Sequence, residues 1–200
     1  MKNSDNLNDL KVVLASASPR RKELLSLIFN EYDICPADCD ETVPEGIKAQ
    51  EAVEHLSLIK NKAALRICGK ESLVISADTV VAVDGEILGK PVDKDDARRM
   101  ITLLSGRAHQ VFTGVTLSLN GEFKTFSEKT DVVFYELTEE EIESYISSSE
   151  PYDKAGSYGI QGKAGLLVKA VNGDYYNVVG LPVARLKREI LSFVETDNVL

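Results

Sequence analysis

Leu14-Ala15-Ser16-Ala17-Ser18-Pro19-Arg20-Arg21 decides how the chain reads. Before it, Lys11-Val12-Val13-Leu14-Ala15 is a short apolar run that predicts a buried strand. After it, Lys22-Glu23-Leu24-Leu25-Ser26-Leu27-Ile28 predicts a helix that ends near Asn30. Ser18 suits the N-cap, and Pro19 the first helical position, where a missing N–H costs nothing. A strand, a loop of small residues and a helix N-terminus thus follow one another directly. Such a turn leaves backbone N–H groups free at the positive end of a helix dipole. Ser16, Ser18, Arg20 and Arg21 add two hydroxyls and two guanidiniums at the same place. Arginine takes phosphate oxygens in a bidentate fork, so the stretch reads as an anion site or as a capped helix start with solvated arginines. It is not a P-loop, because it holds neither glycine nor a Gly-x-x-x-x-Gly-Lys.

The chain has 200 residues, 44% of them hydrophobic, which suits one domain or one domain with two lobes around a cleft. Residues 1–10 read as a disordered tail and 11–200 as the domain. The formal charge is −9, from 23 basic and 32 acidic residues. Nucleic-acid binding rests on a basic face, so an acidic chain points away from it and toward a small anionic ligand held by a local basic cluster. Met1 to Asp9 is polar, unlike a signal peptide, and no apolar run approaches the roughly 20 residues needed to span a bilayer. Together with an odd number of cysteines (Cys35, Cys39, Cys68), this predicts a cytoplasmic protein with reduced thiols. The C-x₃-C spacing of Cys35 and Cys39 lacks obvious further ligands for zinc, since only His55 and His109 are present. His55 reads as a surface or boundary residue.

Further along, Tyr32 to Cys35 predicts a second strand, followed by the acidic loop Asp38-Cys39-Asp40-Glu41-Thr42-Val43-Pro44. Its carboxylates are either solvated or supply a magnesium ligand to a cleft. Lys48 to Ile67 predicts a long helix with an apolar stripe at Ala52, Leu56, Ile59 and Ala63. Lys62 lies beside that stripe, where it either snorkels to water or reaches an anion site. Leu73 to Ala77 and Val80 to Val83 are strongly apolar and enclose Asp78-Thr79. A carboxylate inside an apolar strand is expensive to bury unpaired. Asp78 therefore needs a cation nearby, either as a structural ion pair or, the favoured reading, as a catalytic group in a cleft.

Asp84-Gly85 predicts a hairpin whose return strand Glu86 to Leu88 brings Lys90 back toward Asp78. Asp93 caps a helix to Leu104. Val111 to Leu119 and Glu122 to Leu137 form a hairpin around Asn120-Gly121, and Thr138 opens a capping box for a helix to about Ser148. Arg107 and His109 precede that hairpin and belong to a solvated turn or touch a ligand. Tyr152 to Gly162 holds three glycines, two tyrosines and Gln161. Such a loop brings backbone close to a ligand, and the Gln161 amide offers a donor and an acceptor to a base edge. Leu166 to Ala170 and Tyr175 to Val179 predict a last hairpin around Asn172-Gly173, and Gly180-Leu181-Pro182 starts a final helix to about Val194.

Several of these stretches form an ordered set: Ala15-Ser16-Ala17-Ser18-Pro19-Arg20-Arg21, Asp40-Glu41, Lys62-Ala63, Ala77-Asp78-Thr79, Gly89-Lys90-Pro91, Ser105-Gly106-Arg107-Ala108-His109, Asp153-Lys154-Ala155-Gly156 and Gly159-Ile160-Gln161-Gly162. In this order and spacing they resemble the Maf family of nucleoside triphosphate pyrophosphatases, also described as septum-formation inhibitors. The resemblance spans about Lys11 to Val194. It implies an α/β fold with an elongated mixed sheet, flanking helices and two lobes around a central cleft, similar to the inosine triphosphate pyrophosphatases. The implied reaction splits a nucleoside triphosphate into monophosphate and pyrophosphate with a divalent metal, Mg²⁺ or alternatively Mn²⁺.

On this resemblance Asp78 is the proton acceptor, Glu41 and Asp78 hold the metal, and Lys62 and Lys90 join them as catalytic cations. Ser16, Ser18, Arg20 and Arg21 take the phosphates. Arg20, Thr79 and Gln161 match the branch that prefers dTTP and UTP, with modified pyrimidine nucleotides as further candidates. In the branch acting on 7-methyl-GTP the matching positions tend to be Trp, Gln and Glu. One departure is Ser149-Glu150-Pro151, where the family often has Gly-Glu-Pro. The resemblance also implies a homodimer and a link to arrest of cell division. The alternative function is a nucleotide-binding regulator of septum formation that does not depend on hydrolysis. A monophosphatase or kinase is disfavoured, since no Walker motif, Asp-x-Asp nucleophile or His-containing phosphatase signature is present.

Overall fold

A computed structural model describes residues 10–36, 38–44 and 46–197, with side chains to Glu195. All but Leu10 of the expected tail lies outside the described residues. Apolar β-branched runs form the strands: β1 Val12–Leu14, β2 Asp33–Ile34, β3 Leu73–Val83, β4 Glu86–Leu88, β5 Ala108–Leu119, β6 Glu122–Phe134 and β7 Val168–Asn172. Among the described residues they make one mixed sheet in the order β2-β1-β3-β5-β6-β7, with β4 also on β3. β1 runs parallel to β2 and β3, and the other pairings are antiparallel.

The register of β3 makes the cleft. β5 covers one edge of β3 from Val74 to Ala82. On the other edge β1 pairs with Leu73 to Ile75 and β4 with Val81 to Val83. Among the described residues no strand pairs with that edge over residues 76–80, and Asp78 and Thr79 sit in this gap. A buried cluster lies at each end. Leu14, Leu25, Ile75, Leu117, Leu186 and Ile190 belong to one, and Val81, Leu88, Ile101, Leu104, Phe134 and Ile146 to the other.

The helices are α1 Pro19–Leu25, α2 Ala49–Cys68, α3 Lys94–Leu104, α4 Glu139–Ile146, α5 Tyr175–Val179 and α6 Val183–Asp197. Asp93 caps α3 through the Asp96 N–H, and Thr138 with Glu141 closes the capping box of α4. Three expectations are corrected. α1 stops at Leu25 instead of running on toward Asn30. β6 stops at Phe134, after which the Tyr135 N–H turns to the Leu167 carbonyl. Tyr175 to Val179 is a helix and not the second arm of a hairpin. There, Asp174 Oδ1 accepts the Tyr176 N–H at 2.8 Å and starts α5, while β7 pairs back onto β6. The cap thus overrides the strand preference of Tyr-Tyr-x-Val-Val.

Candidate active site

α2 docks on the sheet through polar groups. Asn61 Nδ2 donates to the carbonyls of Val74 and Thr116, both at 3.0 Å, and Ser57 Oγ lies 3.0 Å from Thr116 Oγ1. Gly114 of β5 lets the helix come close, since a Cβ there would stand 2.2 Å from the Val53 carbonyl oxygen. These contacts fix the rotation of α2 and turn Lys60 toward the gap in the sheet. The Lys60 ammonium bridges Asp78 Oδ1 at 2.5 Å and Glu41 Oε2 at 2.9 Å. Burial alone would lower the Lys60 pKa, but the charges of Asp78 and Glu41 outweigh it and hold the ammonium above its ordinary value.

Lys62 is therefore not the lysine of the site. Two residues turn a helix by about 200°, which carries Lys62 away from Lys60. It is exposed, with its ammonium 5.9 Å from the Phe123 ring centroid. The apolar stripe missed this because Ser57 and Asn61, which are polar, face inward. A period count that includes buried polar residues would have centred the stripe on Val53, Leu56, Ser57, Asn61 and Ala64.

The β1–α1 loop and the first turn of α1 supply another part of the lining. Among the described residues the Arg21 guanidinium meets only neutral acceptors: Gly180 carbonyl from Nε at 3.0 Å, Ser16 Oγ from Nη1 at 3.4 Å and Thr79 Oγ1 from Nη2 at 3.1 Å. Burial lowers its pKa, with Asp78 acting against that shift from beyond ion-pair distance. Ser16 is buried, accepts from the Ser18 N–H and from Arg21, and does not line the cavity, so it braces Arg21 where a phosphate contact was expected. Ser18 sits at the N-cap of α1 without a side-chain capping bond and is among the residues that line the cavity. Arg20 reaches Asp153 at 3.9 Å, a partly exposed pair.

These walls enclose a cavity of about 770 Å³, within the usual size of ligand pockets. Arg20, Arg21, Glu41, Lys60, Asp78, Thr79, Lys90, Lys154 and Gln161 are among its lining residues. Lys90 is exposed and has no ion-pair partner among the described residues. In the acidic loop, Asp40 Oδ1 is taken up by the N–H and hydroxyl of Thr42, which leaves Glu41 as the carboxylate that meets Lys60.

Sequence reasoning missed Lys60 of this cavity and gave no individual role to Lys154, Glu150 or Tyr158, which it met only within longer stretches. Lys154 Nζ donates to the Glu150 carbonyl at 2.7 Å and pairs with Asp153 at 2.5 Å. The Glu150 carboxylate accepts the Lys163 N–H at 2.8 Å and the Ala164 N–H at 3.2 Å, tying down the loop that presents Gln161. Gly162 leaves room for that carboxylate, because a Cβ would stand 2.4 Å from Glu150 Oε1 and force it to shift. Tyr158 Oη is 2.8 Å from Nε2 of His109, which is fully buried against Phe134 and is neither in a solvated turn nor on the cavity wall. Arg107 instead pairs with Asp84 at the surface.

The family model for Maf-like protein matches residues 11–193. The chain belongs to the Maf family. Among the relatives of this Maf chain is a dTTP/UTP pyrophosphatase of Bacillus cereus (strain ATCC 14579), 48% identical over 183 residues, with 92% of this chain and 95% of the relative covered. Another, from Agathobacter rectalis, carries the same name and is 49% identical over 197 residues, covering 90% and 96%. Similar solved structures include the Ham1 protein of Staphylococcus aureus, with TM-score 0.53 and 17% identity over 90% of this chain and 99% of that one. The HAM1 protein of Coxiella burnetii has TM-score 0.54 and 12% identity over 94% and 99%. At these identities the likeness concerns the fold, which this Maf chain shares with them.

Proposed function

We propose that the chain hydrolyses dTTP and UTP to the monophosphates and pyrophosphate in this cavity. The observation that carries the reading is that Arg21 and Lys90, cations without carboxylate partners among the described residues, line the same cavity as the Glu41–Lys60–Asp78 cluster. A polyphosphate needs the first set, and activation of water needs the second. The relatives named dTTP/UTP pyrophosphatase support the substrate class.

Arg20, Arg21, Lys90 and the Ser18 hydroxyl bind the phosphate chain. Asp78 accepts the proton of the attacking water. Lys60 moves from Asp78 Oδ1 to a phosphate oxygen when the nucleotide enters, which frees the carboxylate for that proton. Gln161 reads the base edge, with Thr79 and Arg20 completing the wall that selects it. Glu41 and Asp78 are two hard oxygen donors close enough to share one ammonium, and among the described residues no cluster of three or more His, Cys, Asp or Glu stands ready for a metal. That donor set fits Mg²⁺ or Mn²⁺, because Mg²⁺ is commonly held by one or two carboxylates together with substrate phosphates. When bound there, the metal would polarise the α-phosphate. Among the described residues no helix is long and apolar enough to cross a membrane. Residence in the cytoplasm, a single domain over 11–200, assembly as a homodimer and a link to cell-division arrest complete the proposal.

The test is turnover on dTTP, UTP, CTP, 7-methyl-GTP and ITP with Mg²⁺, following pyrophosphate and monophosphate together. Cleavage is expected mainly of dTTP and UTP. Asp78→Asn should lower it by at least about 10²-fold, the lower range for loss of a general base, while the fold survives. Preference for 7-methyl-GTP or ITP would overturn the assignment of Arg20, Thr79 and Gln161. No pyrophosphate from any substrate, in folded protein, would overturn the hydrolase.

A further inference from the structure

The hydrogen bonds behind Arg21 have directions that chemistry alone dictates. A guanidinium only donates, so Thr79 Oγ1 accepts from Arg21 Nη2 at 3.1 Å. A carbonyl only accepts, so the Thr113 hydroxyl donates to the Asn177 carbonyl at 3.0 Å. Thr113 then has only lone pairs for its other neighbour, Thr79 Oγ1 at 2.9 Å, and the Thr79 hydroxyl must donate to it. The chain Arg21 → Thr79 → Thr113 → Asn177 therefore runs one way. Its far end is anchored: Asn177 is buried and donates from Nδ2 to the Val111 carbonyl and Thr130 Oγ1, both at 3.0 Å. Arg21 Nε is held by Gly180, three residues beyond Asn177, so both ends of the bracket stand on the same turn.

We propose that Thr113, buried behind the cavity wall and absent from its lining, is a positioning residue for the hydrolysis. By accepting the only hydroxyl proton of Thr79, it turns the Thr79 lone pairs toward Arg21 and aims the guanidinium at the nucleotide phosphates. This rests on the reading that Arg21 binds phosphate. It adds that Thr79 has no donor left for a base, and that losing Thr113 affects nucleotides alike whatever their base.

The experiment measures kcat/KM on dTTP, UTP and CTP for Thr113→Val, Thr113→Ser, Thr79→Val, the Thr79→Val/Thr113→Val double variant and Arg21→Lys. Thr113→Val removes the hydroxyl at nearly constant shape. The Asn177 carbonyl keeps a donor in the Gly180 N–H at 3.0 Å, so the fold should tolerate the change. The bond lost, from Thr79 to Thr113, joins two neutral hydroxyls and supports a loss of about twofold to tenfold in kcat/KM, by a common factor for the three nucleotides. Thr113→Ser should recover most of it. The double variant should be no worse than Thr79→Val alone, since both cut one relay. If Arg21→Lys keeps full activity, the phosphate role of Arg21 is wrong. If Arg21→Lys is impaired while folded Thr113→Val keeps wild-type kcat/KM and only melts earlier, Thr113 is structural and the proposal is overturned. Thr79→Val at wild-type kcat/KM overturns it as well, and remains decisive if Thr113→Val does not fold.

Discussion

Replacing His109 by Gln should flatten the acid side of the stability profile. The imidazole is fully buried, its Nε2 faces Tyr158 Oη at 2.8 Å, and its Nδ1 has no hydrogen-bond partner among the described residues. A second ring proton would have no acceptor and a buried charge no counter-ion, so burial pushes the His109 pKa down from 6.5 to about 4. An unfolded chain takes up that proton near pH 6.5, and the folded chain does so only near 4. The unfolded state therefore binds more protons between these values, and stability falls as the pH drops through this window. The contribution is complete above the unfolded pKa. Integrated down to about pH 4.5, the loss is about 2–3 kcal/mol. Gln keeps a polar group beside Tyr158 and does not titrate. Urea unfolding near pH 7 and at about pH 4.5 gives the pH-dependent loss for each protein, and the wild type should lose about 2–3 kcal/mol more than His109→Gln. Because the comparison is between slopes, any destabilisation by the substitution at neutral pH cancels. Equal losses in the two proteins, or a His109 imidazole signal titrating near 6.5 in the folded state, would refute the reasoning.

The two lysines of α2 should separate cleanly. Lys60→Met should reduce pyrophosphate release from dTTP by about 10²-fold or more, whereas Lys62→Met, which removes only an exposed contact over Phe123, should stay near wild type in the same assay. Gly162→Ala should cost about 1–3 kcal/mol in thermal or urea melts, because its methyl would drive into the Glu150 carboxylate. In a Glu150→Ala background the same substitution should cost much less, and equal costs in both backgrounds would dissociate the two residues. Glu150→Ala alone should weaken discrimination of dTTP against CTP, measured as a ratio of kcat/KM, since it frees the Lys163 and Ala164 N–H groups that hold the Gln161 loop.

Local chemistry in the sequence determined a large part of this molecule. The apolar run before Ala15 makes β1, Asp84-Gly85 and Asn120-Gly121 make their hairpin turns, and Thr138 with Glu141 makes its capping box, because each depends on neighbours a few residues apart. The ordered motifs also marked Asp78, Glu41, Lys90, Arg20, Arg21, Thr79 and Gln161, and the fold gathers all of them at one cavity. Tertiary structure alone decided the rest. The phase of α2 follows from Asn61 wedged between β3 and β5, so Lys60 faces Asp78 and Lys62 faces out. Asp174 decided α5 against an apparent strand. The partners of Arg21 lie as far as 159 residues along the chain, and His109 is buried through Tyr158 and Phe134. The physical reason is common to these cases. Hydrogen-bond partners for buried polar groups come from distant segments, and the helix phase or rotamer that satisfies them prevails over any local pattern of apolar residues.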